Sequence, residues 1–210
     1  MKYFIPLLLL MPFISPAQIG EIAPSKDSLS SRWSFSATGY YNILPGSENS
    51  LTLIGTADHK ALHLEPRYNY EGLNTGSLFA GWKFETEGKM NLAVTPMIGF
   101  VFGDLKGIAP GLELELSYKL LDFYSESEYM IDYSDGQSNY FYTWSELGIS
   151  PFETFRVGIS AQRTRLYQTG LDFQRGLFAE YNFWKLTAGF HYFNPFSTDY
   201  FFIASLNVAF

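Results

Sequence analysis

The chain has 210 residues, no cysteine, and 21 acidic against 14 basic side chains, for a formal net charge of −7 at pH 7. The acid excess argues against nucleic acid as a partner, because phosphate binding calls for a basic patch. Lack of cysteine excludes disulfides, thiolate chemistry and a lipoprotein anchor.

The first segment, residues 1–17, carries Lys2, an apolar run from Tyr3 to Ile14, and the small residues Ser15-Pro16-Ala17. This is the pattern of a secretory signal peptide cut before Gln18. The run is too short to span a bilayer, which needs about 20 apolar residues. Residues 18–31 are polar and aperiodic and read as a flexible leader. Residues 32–210 remain as one domain, and no stretch in them reaches the length of a helical membrane span.

From Arg32 onward, apolar and polar residues alternate with period two, the mark of strands with unlike faces. The spacing predicts strands over 32–41, 50–56, 60–70, 77–87 and 90–102, the second of them short. The outward sets include Trp33, Phe35 and Ala37, then Leu78, Ala80, Trp82 and Phe84, then Leu92, Val94, Ile98 and Phe100. Residues 110–133 form a long hairpin turning near Leu121-Asp122. Leu112, Leu114 and Leu116 lie on one face, with Glu113, Glu115, Glu126 and Glu128 on the other. Further strands follow over 139–150, 155–166, 172–183, 185–193 and 200–210.

The fold class expected is all-β: a single antiparallel transmembrane β-barrel of twelve strands, or ten if 50–56 is loop. Strands of about ten residues fit a tilted crossing of the hydrocarbon layer. An even count brings both chain ends to one side. Aromatics make up 19% of the chain and are spread along it. Trp33, Trp82, Tyr118, Trp184 and Phe210 fall near strand ends, as an interfacial girdle needs. The competing soluble barrel would bury the leucine-rich face. Against it stand Ala93, Gly99, Gly158 and Gly189, too small at lumen positions to fill a dry core.

The last strand ends on Phe210, preceded at alternate positions by Val208, Leu206 and Ala204. This resembles the C-terminal signature of bacterial outer-membrane β-barrel proteins. The resemblance implies export to the outer membrane of a Gram-negative-type bacterium. It also implies recognition of the Phe210 strand by the barrel-assembly machinery, with outer-membrane lipid and lipopolysaccharide as surroundings. It identifies no subfamily and no protein partner.

Pairing the hairpin about Leu121 sets Glu115 opposite Glu126 and Glu113 opposite Glu128. Pairing the next two strands about Asp135-Gly136 brings Glu146 beside Glu126. Glu113, Glu115, Glu126, Glu128 and Glu146 thus form an acidic patch on the lumen wall, with Asp132 above. Like charges facing each other are unfavourable, so something must relieve them. Lys119 and Arg156 are the nearest bases, and His63, Arg67 and Lys83 form a second basic group. Tyr140, Tyr142, Trp144, Phe178, His191 and Phe201 also point inward, to pack the interior or stack a sugar.

A passive pore with an acidic wall would favour cations. A structural network that plugs the lumen would use the same residues. The loops are short, with no constriction loop among them. An enzyme is not expected and no residue is assigned as catalytic. His191 falls in register with Phe178 and Phe201 rather than with Ser205 or Glu180, and the sequence after it, Tyr192-Phe193-Asn194, lacks the His-x-Ser-Asn arrangement of outer-membrane lipases. No cofactor is implied, no metal motif is present, and the carboxylate spacing matches no calcium loop. Arg163 and Arg165 are placed at the rim, at head-group level or against lipopolysaccharide phosphate.

Overall fold

A computed structural model describes residues 32–134, 139–163 and 173–210. Residues 1–31, which the sequence suggests are signal peptide and leader, and Arg165 lie outside the described residues. The strands are β1 (Ser34–Ile43), β2 (Ser50–His59), β3 (Leu62–Tyr68), β4 (Thr75–Trp82), β5 (Phe84–Thr86), β6 (Asn91–Gly103) and β7 (Gly107–Tyr118). They continue as β8 (Leu121–Asp132), β9 (Tyr140–Phe152), β10 (Phe155–Arg163), β11 (Gln174–Phe183), β12 (Leu186–Phe193) and β13 (Phe201–Ala209). Apart from β4 and β5, which both pair with β6, each pairs antiparallel with its neighbours in sequence, and β1 pairs with β13, so the sheet closes on itself.

β4 and β5 are one stave interrupted. Gly81 faces Met97 and Phe84 faces Val94 in a single register on β6. The break lies opposite Pro96, which has no N–H to give a ladder. The closed barrel therefore has twelve staves, not ten. Residues 50–59 form a full ten-residue strand, longer than its sequence suggested. Its outward face is weakly apolar at Gly55, where a Cβ would meet the ring of Pro66 at 3.4 Å, so the neighbouring strand covers what β2 lacks.

Inside and outside alternate as the period-two pattern predicts. Along β4, Ser77, Phe79 and Gly81 are buried while Leu78, Ala80 and Trp82 are exposed. Two-residue turns at Lys60-Ala61, Lys119-Leu120 and Trp184-Lys185 sit at the end where β1 begins and β13 finishes. Lys60, Lys119 and Trp184 take positive φ (55°, 57° and 55°), as hairpin turns matched to strand twist require. Longer connections, 44–49, 69–74 and 194–200, lie at the other end.

Exposed aromatics form two belts. Trp33, Trp82, Tyr118, Trp184 and Phe210 ring the short-turn end; Tyr41, Tyr68, Phe102, Tyr129, Tyr133 and Tyr200 ring the other. Between the belts the outer wall is aliphatic, with Leu78, Ile98, Leu147, Ile159, Leu177 and Leu206 exposed. An apolar band between aromatic girdles around a polar interior is the build of a transmembrane barrel.

Three registers differ from the sequence reading. The β7–β8 turn is at Lys119-Leu120, one residue early, so Glu113 faces Glu126, Glu115 faces Tyr124 and Gly111 faces Glu128. Moving a turn by one residue moves every partner by two. For the same reason Glu126 faces Trp144 on β9, and His191 faces Ile203. The small lumen residues also act differently from expectation: they make room for large neighbours. A Cβ on Gly99 would sit 2.4 Å from the Phe79 ring, and Phe79 is fully buried.

Candidate functional site: the barrel lumen

The lumen holds two clusters, each built on one arginine. Arg67, on β3 and fully buried, is the centre of the first. Its Nε donates to Glu65 at 2.5 Å, Nη2 lies 2.6 Å from Glu126, and Nη1 lies 2.9 Å from Glu128 and 3.6 Å from Glu71. The guanidinium also lies over two rings, 3.9 Å from the centroid of Phe79 and 4.5 Å from that of Tyr70. Its five donors in a rigid fork suit this multiple pairing.

Beside it, His63 sits between carboxylates. Nδ1 meets Asp58 at 2.7 Å, and Nε2 lies 3.1 Å from Glu65 and 3.9 Å from Glu113. Asp58 and His63 are direct cross-strand partners. Lys83 lies 3.9 Å from Glu115, at the edge of this cluster.

Arg156, on β10, is the centre of the second cluster. It contacts Asp122 at 2.5 Å, Glu146 at 2.8 Å and Glu180 at 2.9 Å, with its guanidinium 4.5 Å from the Phe178 centroid. Glu146 also accepts from Trp144 Nε1 at 3.2 Å and meets His191 Nε2 at 2.9 Å. The ring of His191 stacks on Phe178, centroids 5.5 Å apart. Both lumen histidines are thus turned to carboxylates rather than to a hydroxyl.

The single acidic patch expected from sequence is therefore divided. Glu126 and Glu128 pair with Arg67, Glu113 lies toward His63, and Glu115 is at the edge on Lys83; Glu146 belongs to Arg156 instead. Asp132 is engaged at the loop end, accepting from the backbone N–H of Ser134 at 2.7 Å. Lys119 is not in the lumen: it occupies the turn, exposed, with its ammonium 5.1 Å from the Tyr118 centroid. Phe201 stacks on Phe193 at 5.0 Å rather than on His191. Tyr142 packs edge-on against Tyr70 at 4.9 Å. Arg163 is at the rim, donating to the carbonyl of Phe141 at 2.6 Å.

One of the short loops turns two side chains inward. Residues 69–74 fold into the mouth, and Tyr70 and Glu71 are buried. Tyr70 Oη donates to Glu126 at 2.7 Å, Ser77 donates to Glu71 at 2.6 Å, and Tyr140 Oη donates to the Glu71 carbonyl. Burial pushes the Glu71 carboxyl above the usual range, opposed by Arg67. Loop length alone hides this, because six residues suffice to dip inward. Asp122 and Glu180 were missed as ion-pair partners because neither strand's pattern says which distant arginine reaches it. Glu65 carried a signal: it alternates with His63 and Arg67 on one face.

No family model matches the chain, and neither does any curated protein. Solved structures do. A KdgM porin in complex with disordered oligogalacturonate superposes with a TM-score of 0.58 at 10% identity, covering 83% of this chain and 99% of that one. A second KdgM porin structure gives a TM-score of 0.57 at 10% identity, with the same coverage. The chain has the fold of outer-membrane β-barrels. At this identity the likeness concerns the barrel and not its contents.

Proposed function

We propose that the protein is an outer-membrane channel for small polar solutes with a preference for cations. The observation that carries this is the charge of the lumen. Carboxylates of Asp58, Glu65, Glu113, Glu126, Glu128 and Glu146 face inward against Arg67 and Arg156, with Lys83 at the edge. Rings and walls of carboxylates favour cations at close quarters. The porin fold and the two aromatic belts support the location, and exposed Phe210 at the end of β13 is suited to recognition during assembly. Lipid and lipopolysaccharide are the surroundings this outer wall is built for. Oligogalacturonate, with which the KdgM porin forms a complex, is a polyanion, and an acidic lumen would repel such a molecule.

A second reading is favoured by one specific contact. Tyr40 and Trp144 approach across the interior to 6.3 Å between ring centroids, and the Arg67 side chain has no exposure. A barrel filled this way would be a closed structural wall. Single-channel recording of the purified barrel in planar bilayers across a salt gradient separates the two. The channel reading expects steps with a cation-selective reversal potential that moves toward zero in Glu113→Gln/Glu126→Gln. Silence from correctly folded barrel would leave the closed wall.

A further inference from the structure

We propose that His63, Glu65 and Glu113 form a binding site for a first-row divalent cation of the zinc type, with Asp58 as its supporting partner. The site deepens the channel reading, since an ion must enter the acid-lined lumen to reach it. One ligand atom from each of the three side chains lies within 4.8 Å of the other two, and all three residues are buried. His63 and Glu65 come from β3 and Glu113 from β7 across the lumen, so no sequence spacing announces the set.

The chemistry selects the metal class. An imidazole nitrogen with two carboxylate oxygens suits zinc and its neighbours, while calcium and magnesium take oxygen ligands. Metal–ligand bonds of about 2.0–2.2 Å put ligand atoms roughly 3.3 Å apart in a tetrahedral site. The 3.1 Å separation of His63 Nε2 from Glu65 already fits such a site, and Glu113, 3.9 Å from Nε2 and within 4.8 Å of Glu65, must move inward to close it. Asp58, 2.7 Å from Nδ1, would hold that nitrogen protonated and turn the Nε2 lone pair toward the two glutamates. A carboxylate behind a ligating histidine is the usual outer support of such sites.

Charge balance supplies a second, independent argument. Glu65, Glu71, Glu126 and Glu128 all draw on Arg67, leaving Glu113, among the described residues, to His63 and a 3.3 Å hydrogen bond from Tyr124. Glu71 Oε2 and Glu128 Oε1 are buried without a hydrogen-bond donor among the described residues. Lys83, the next cation, is engaged at Glu115. Buried carboxylates in surplus call for a cation or protons.

The test is zinc binding by the full barrel in detergent, stripped with chelator and titrated by calorimetry. A parallel sample is refolded in the presence of zinc, so that entry to the lumen is not limiting. One equivalent is expected, weakened at least about ten-fold by Glu113→Gln and about 10–100-fold by Asp58→Asn, and unchanged by His191→Gln. No uptake even after refolding, or uptake indifferent to Glu113→Gln and Asp58→Asn, would overturn the site and leave His63 as an imidazolium between carboxylates. Preference for Ca²⁺ over Zn²⁺ would overturn it too. Should those variants fail to fold, X-ray absorption on zinc-loaded His59→Gln/His191→Gln decides: an imidazole in the shell must be His63, and a shell of oxygen alone overturns the assignment. Zinc uptake by a barrel silent in bilayers would keep the site and remove the channel; conductance without uptake would do the reverse.

Discussion

Tyr40 on β1 and Trp144 on β9 meet across the lumen, ring centroids 6.3 Å apart, although four strands separate them around the wall by the shorter route. The contact divides the interior. The Arg67 cluster lies on the side of β3 to β8, and the Arg156 cluster on the side of β9 to β11, with Asp122 reaching in from β8. If the lumen conducts, this pair sets its width. Trp144→Ala should therefore raise single-channel conductance, while costing roughly 3–5 kcal/mol of stability from the lost aromatic packing. Planar-bilayer recording and urea unfolding would read the two effects, and unchanged conductance in a folded variant would show that the path runs elsewhere.

Among the described residues, Arg67 contacts four carboxylates, those of Glu65, Glu71, Glu126 and Glu128. Arg67→Ala leaves Glu65, Glu126 and Glu128 buried together, which should cost about 3–5 kcal/mol. Adding Glu126→Gln and Glu128→Gln should recover part of that loss. Denaturant unfolding of the single and triple variants measures both, and a triple variant no better than the single would mean packing on Phe79, not charge, dominates.

Gly148 faces both Arg156 and Asp122. A Cβ there would lie 2.6 Å from Arg156 Nε and 2.8 Å from the Asp122 carboxylate. Gly148→Ala should push this 2.5 Å ion pair apart and destabilise the barrel by about 1–3 kcal/mol. Combining it with Asp122→Ala should be less than additive, since the displaced partner is already gone. Strict additivity in unfolding free energy would place the strain elsewhere.

The outer wall should report membrane depth. Leu177, half exposed and paired with Ile159 midway along the β10–β11 ladder, faces the aliphatic band. Leu177→Arg should cost about 2–4 kcal/mol, whereas Trp184→Arg at the rim should cost about 0–1 kcal/mol. Folding into liposomes under urea would measure the difference; equal penalties would argue that lipid does not contact this face.

Much of the architecture could be read from the chain because period-two alternation is a local property. Which residues of β1, β4, β6 and β13 face outward follows from Phe35, Leu78, Ile98 and Leu206 and their neighbours, with no knowledge of what they contact. Register is less local. Whether Glu126 faces Glu113 or Glu115 depends on a turn one residue earlier or later, and positive φ at Lys119 is a choice the whole hairpin makes.

The lumen chemistry belongs to tertiary structure alone. Composition and alternation specify an acidic, aromatic wall, and with it a barrel that is apolar outside and charged within. Only closure of the sheet decided that Arg67 would take Glu126 and Glu128, that Arg156 would take Glu146, and that Glu113 would come to His63. The physical reason is reach. A side chain in a lumen finds partners across the gap, from strands many residues away in sequence. That distance is set by the width and shear of the closed barrel, which no single strand encodes.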